Sequence, residues 1–219
     1  MAATKTAGAA PFRLLTLLAM GLLVAAFFSP IWWVALGAPQ YGRDAFPDGV
    51  RIEFHFTGVK NGCHTQARAE VEEEGETLDC VHEMNTINHF IGMHPIADGA
   101  KYELAAAPYL YGLLAVMLVA FMFYSGPFWW ALPLPGILLP LIFVVDYSAW
   151  LWWFGHTLSP MGAFTVKPFM PTVFGEGQVA QFSTYSYPSY GYALLLGAAL
   201  ALALSALLRR KQLRAARAS

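Results

Sequence analysis

The sequence predicts a membrane all-α fold of four transmembrane helices, with a small α+β extracytoplasmic domain inserted between helices 1 and 2. Three observations carry this. Only 12% of the 219 residues are charged and 57% are hydrophobic, whereas soluble domains carry about 25% charged residues. Four apolar stretches, residues 14–36, 104–124, 128–154 and 190–208, each reach the roughly 20 helical residues that cross a hydrocarbon core of about 30 Å. Between the first two lies a polar segment, residues 37–103, holding twelve of the fourteen Asp and Glu residues against five Lys and Arg.

The spans are expected to be helices because lipid offers no partner for backbone N–H and C=O groups. Residues 14–36 follow Lys5 and Arg13 and resemble a leader, but the run exceeds the roughly 7–15 apolar residues of a signal peptide. It is therefore read as a retained span. Arg209, Arg210, Lys211, Arg214 and Arg217 follow the last span with no acidic residue among them. With Lys5 and Arg13 before the first span, they predict that residues 1–13 and the basic tail 209–219 are both cytoplasmic. The chain is then a multi-pass protein of the inner (cytoplasmic) membrane, with 37–103 and 155–189 on the periplasmic side. Lipid is the expected partner of the spans and of the tail. A membrane or periplasmic protein is a further expected partner. The acidic outer segment argues against nucleic acid.

Within 37–103, Val50 to Thr57 alternates: Ile52, Phe54 and Phe56 fall on one side, Glu53, His55 and Thr57 on the other, which predicts a half-buried strand at 50–57. A hairpin or pair of strands is expected around residues 58–71. A helix is predicted around 79–93, with Asp79 as its cap, Glu83 in its first turn, and Gly92 and Pro95 ending it. In that helix His82, Asn85, Thr86, His89 and Met93 share one stripe, and Cys80, Met84 and Ile91 a neighbouring one. Cys63 and Cys80 are the only cysteines, and in an oxidising compartment a disulfide between them is expected. Residues 155–189 are rich in Pro and aromatics with little charge, a segment expected to lie against the membrane surface or the first outer segment. The tryptophans at span ends, Trp32 and Trp33 among them, read as interfacial belts. Asp146, alone inside the third span, is costly at membrane depth and reads as a helix-pairing group or an ion relay.

The stretch from Cys80 to His94 concentrates Cys80, His82, Met84, His89, Met93 and His94. Thioether and imidazole donors suit copper, Cu(I) above all, better than hard cations. The candidate metal ligands are therefore His82, His89, Met93, His94 and Met84, with His55 added if its strand packs on the helix, and His64 behind it. The plainer reading is that both methionines are core, Cys80 is tied to Cys63, and His94 is an ordinary surface histidine. The spacing lacks the Cys-x-x-Cys pairs of a zinc site.

Ser29-Pro30-Ile31-Trp32-Trp33 with Ala38-Pro39-Gln40-Tyr41, the block Ile87-Asn88-His89-Phe90-Ile91-Gly92-Met93, and Lys167-Pro168-Phe169-Met170-Pro171 resemble uncharacterised four-span bacterial inner-membrane proteins associated with copper handling and nitrous oxide reductase maturation. The likeness spans both outer segments and part of the first span. It implies a periplasm-facing accessory role near copper delivery. The sequence thus leads to a non-enzymatic, membrane-anchored protein that binds or hands over copper in support of metalloenzyme maturation. Two rivals remain: a structural or assembly subunit of a respiratory-type membrane complex with no metal, and a quinone-linked thiol–disulfide oxidoreductase using Cys63 and Cys80. The second rival ordinarily requires an activated pair such as Cys-x-x-Cys and a second pair beside it.

Overall fold

The structure, a computed structural model, describes residues 10–37, 46–63, 79–163, 166–179 and 181–218. It contains four helices long and apolar enough to cross a membrane and one five-stranded antiparallel sheet. The chain divides into two compact units.

The first unit comprises the residues up to 29, Ala105–Val144 and those from Tyr190 onward. Its best-packed pair is α1 (Ala10–Phe28) against α5 (Tyr190–Ala218). On α1 the buried stripe is Phe12, Thr16, Ala19, Leu23 and Ala26; on α5 it is Leu195, Ala198, Leu202, Ser205 and Arg209. Both recur at three- and four-residue steps, and their small residues let the backbones approach closely. The Thr16 and Ser205 hydroxyls stand 2.8 Å apart, and both reach the Phe12 carbonyl. Across the apolar windows of the four long helices only 17–33% of residues are buried. Side chains such as Leu110, Val116, Leu141 and Leu200 therefore point outward, an arrangement suited to acyl chains rather than water.

The helix bounds correct the expected ones. The first span was predicted to run to residue 36, but α1 stops at Phe28 and Trp32–Gly37 is β1. Pro30 disfavours helical backbone at Ser29 and cannot continue the hydrogen-bond ladder. The second and third spans begin or end a few residues from prediction, as α3 (Lys101–Phe123) and α4 (Leu134–His156), the latter preceded by a 3₁₀ turn at Trp129–Ala131. The basic segment expected to follow the last span from residue 209 is helical and continues α5.

The second unit comprises Pro30–Leu104 and Val145–Ser189. Its strands are β1, β2 (Val50–His55), β3 (Gly58–Asn61), β4 (Gly175–Val179) and β5 (Phe182–Pro188), in the order β3-β2-β1-β5-β4. The expectation of a domain inserted between helices 1 and 2 alone is thereby corrected. Two of the five strands lie between α4 and α5, and β5 pairs with β1 from Trp32↔Pro188 to Gly37↔Ser183.

Sheet parity sorts the side chains. Val50, Ile52, Leu36 and Phe182 point to one face and join Cys80, Met84 and Ile87 of α2 (Cys80–Phe90), with Ile96, in a common core. Trp32, expected in an interfacial belt, is 3% exposed. Its indole Nε1 donates to Ser186 Oγ at 2.8 Å, and Ser186 in turn donates to the Val173 carbonyl. The Tyr147 hydroxyl lies 3.2 Å from the same oxygen, which accounts for a serine and a tyrosine hydroxyl in a buried position. Asp146, next in sequence to Tyr147, is half-buried.

Candidate functional site

The predicted donor segment folds as the sequence implies at its start. Asp79 Oδ1 accepts the N–H groups of Val81 and His82, satisfying two of the donors a helix start leaves open. Cys63 and Cys80 form a disulfide. Asn61 Oδ1 accepts both of their backbone N–H groups, at 3.1 and 3.2 Å, so the crosslink is seated on the end of β3.

The structure separates the predicted ligands by face. Met84 is 4% exposed and belongs to the core with Cys80, so it does not share a face with His82 and His89, both exposed. That corrects its place in the ligand set: the residues four apart from Cys80 follow it inward. His55 is also removed from the set. α2 does pack on β2, but through the Val50 and Ile52 face, while His55 shares the opposite face with Arg51 and Glu53, its Nε2 3.8 Å from Glu53 Oε2. His64 lies outside the described residues. Among the described residues, no three of His, Cys, Asp or Glu stand close enough to hold a metal ion.

The C-terminal end of α2 holds the remaining candidates together with one that sequence reasoning missed. Gly92 leaves the helix at φ +77°, the left-handed conformation that closes helices. Its N–H and that of Met93 return to the carbonyls of His89 and Asn88. Onto this turn docks the segment after α4: the Ser159 N–H donates to the Gly92 carbonyl at 2.7 Å. The contact is backbone to backbone, since a Cβ on Gly92 would stand 2.5 Å from the Ser159 carbonyl oxygen and one on Gly162 would stand 2.7 Å from the Gly92 nitrogen. Met161, held between those two contact residues, is 87% exposed. Two chain segments nearly seventy residues apart thus bring Met161 to the turn that carries His89, Phe90 and Met93. Nothing local in Ser159-Pro160-Met161-Gly162 marks it as a ligand; the signal is a non-local contact.

His94 faces elsewhere. Its ring stacks on Trp153 at 4.7 Å between centroids, and its Nδ1 lies 4.0 Å from Asp98 Oδ2. Asp98 also receives Lys101 Nζ at 2.5 Å. The Lys101 hydrogen bond, with smaller contributions from the Lys101 and His94 charges, holds the Asp98 carboxyl below its ordinary range, partly offset by burial. A depressed carboxylate stabilises the fold at pH values above its unfolded-state pKa, and that contribution is lost as pH falls through the folded value. A carbon-detected titration of Asp98 is expected to show a midpoint below the usual value of about 3.9, moving upward in Lys101→Met.

The turn and the segment docked on it thus carry two thioethers, Met161 exposed and Met93 partly buried, with the exposed His89 imidazole one turn earlier, residue types that suit a soft monovalent cation. Compared with known proteins, the chain matches no family model, no curated protein and no solved structure.

Proposed function

We propose that this chain is a multi-pass inner-membrane protein, both termini cytoplasmic, whose sheet-bearing unit takes up and hands on Cu(I) on the periplasmic side as an accessory to metalloenzyme maturation. The copper reading is supported by the Gly92–Ser159 junction, a backbone contact next in sequence to Met93 whose two docking residues, Ser159 and Gly162, flank Met161. With Met161 and His89 exposed and Met93 partly buried, an ion held there would stay accessible to a partner, as a delivery protein requires. The topology is supported by the pairing of β1 with β5: both interhelical segments enter one sheet, as expected of the two outer segments in a four-span chain. The disulfide fits an oxidising compartment.

Cu(I) competition against a chromogenic chelator, with the full chain in detergent, tests the reading. The Met93→Leu/Met161→Leu variant is expected to lose about tenfold or more in affinity, equivalent to about 1.4 kcal/mol, while Met84→Leu leaves affinity unchanged. Equal affinities for wild type and the double variant would remove copper from the function.

A metal-free assembly subunit is the second reading, supported by the outer sheet face. There Trp33 stacks near Tyr187 at 5.3 Å with Arg51 over Trp33 at 4.4 Å, and Phe174 is 66% exposed. Aromatic and Arg side chains of this kind are enriched at protein interfaces. A stoichiometric partner copurifying without copper would favour it. The thiol–disulfide oxidoreductase reading gains little from the geometry: Cys80 is fully buried and Cys63 partly so, and exchange requires access to one of the two sulfurs.

A further inference from the structure

The first unit carries a charge imbalance that its own residues cannot settle. Its sequence segments contain no Asp or Glu, yet Arg13, Arg209, Arg210, Lys211 and Arg214 all belong to it. Arg209 is 3% exposed. Its guanidinium lies 4.9 Å from the Phe121 ring centroid, 5.3 Å from Phe12 and 5.7 Å from Trp129, and it donates to the Tyr124 carbonyl. Cation–π contacts of this sort partly replace hydration, but Arg209 Nη1 is buried with no hydrogen-bond partner among the described residues.

Beside this cage opens a cleft of about 180 Å³ lined by Trp129, Arg210, Leu213 and Arg214. Arg210 and Arg214 stand one helical turn apart on α5 and face one side of it together, while Trp129 and Leu213 supply an apolar wall. Trp129 is shared with the Arg209 cage, so the buried guanidinium also positions that wall. Two guanidinium groups match the geometry of a phosphate group and bind it bidentately. The indole and leucine side chains have no use for inorganic phosphate; they suit the glycerol and first methylenes of a lipid.

We propose that this cleft binds the phosphodiester headgroup of an anionic phospholipid. The proposal rests on the membrane reading above and is independent of copper. A headgroup at this position supplies the anion the unit lacks and ties the end of α5 to the bilayer boundary beyond a general polybasic attraction.

The test is native mass spectrometry of the full chain in non-ionic detergent, titrated with phosphatidylglycerol or phosphatidylcholine. Membrane association is scored first, by carbonate washing. The wild type is expected to retain phosphatidylglycerol over phosphatidylcholine, and Arg214→Gln or Arg210→Gln to weaken retention by about fivefold, the value of about 1 kcal/mol per basic residue near a lipid surface. Lys211→Gln removes the same charge without touching the cleft lining and is expected to change retention less than twofold. Equal losses in Lys211→Gln and Arg214→Gln would reduce the effect to diffuse attraction and overturn the site. Displacement of the lipid by millimolar inorganic phosphate would also overturn it, assigning the cleft to free phosphate. A washed pellet that contains the protein but shows no lipid preference contradicts the cleft alone; release by carbonate contradicts the membrane reading and the cleft with it.

Discussion

Replacing Gly92 by alanine is expected to detach the segment around Met161 from the end of α2 and to weaken the proposed Cu(I) binding by up to about tenfold, no more than the Met93→Leu/Met161→Leu variant, without unfolding the sheet. Two costs combine. Alanine at φ +77° is strained by about 1–2 kcal/mol. The new methyl would meet the Ser159 carbonyl oxygen at 2.5 Å, where backbone, not a flexible side chain, must move. Losing the 2.7 Å bond from Ser159 to Gly92 adds about 1 kcal/mol. The sum, on the order of 2–3 kcal/mol, exceeds what a solvent-facing segment held by a few backbone contacts can resist, so the segment moves and α2 stays. Gly162→Ala separates strain from displacement, because its Cβ would meet the Gly92 nitrogen at 2.7 Å with no left-handed backbone involved. It is expected to weaken copper binding comparably with a smaller loss of stability. Protease sensitivity at residues 157–163, measured alongside chelator competition, checks both; full affinity in a variant whose segment is demonstrably released contradicts the copper site.

The second large effect concerns the crosslink. Cys63→Ala/Cys80→Ala is expected to destabilise the sheet-bearing unit by about 3 kcal/mol, the chain-entropy value for a closed loop of this order, with a cavity cost at Cys80 in addition. The sequence separation is 17 and Cys80 sits in the core with Val50, Ile52 and Met84, so both contributions fall on the same cluster. For a unit of this size the midpoint of thermal unfolding is expected to drop by roughly 10–20 °C. Followed by tryptophan fluorescence with and without reductant, the reduced wild type should unfold below the oxidised one, and the variant lower still by the cavity cost at Cys80. A wild type whose midpoint ignores complete reduction would show that the crosslink constrains nothing.

How much of this was legible in the sequence depends on whether a signal was local. The Asp79 cap, the division of Cys80 and Met84 from His82 and His89, and the alternation over Val50–His55 rest on residues within one turn or one strand of each other, and these are present. α2 stops at Phe90 short of the expected 93 and β2 at His55 short of 57, so Met93 leaves the predicted stripe past the left-handed Gly92. β1 was hidden because Ile31–Leu36 reads as the apolar continuation of a span; Ser29-Pro30 was the available signal, and a proline shortly after a helix marks its end. β5 was hidden for a different reason. Its inward residues after Phe182 are Thr184 and Ser186, polar because Ser186 serves the Trp32 indole and Thr184 pairs with Thr172 at 2.8 Å, so the hydrophobic alternation that announces a strand is absent. The candidate site divides in the same way. Met84 shared a stripe with Cys80 and so could be read as core, and His55 faced away by strand parity. Met161 could not be found at all without the contact that folds its segment onto Gly92.

That Met93 and Met161 form one soft-donor site is tested most directly by methionine methyl NMR of the full chain titrated with Ag(I), the redox-inert analogue of Cu(I). The Met93 and Met161 methyl resonances are expected to shift together, saturating at the same stoichiometry, while Met84 in the core stays in place. Shifts at Met93 and Met161 that follow different midpoints, or none at either, would contradict it.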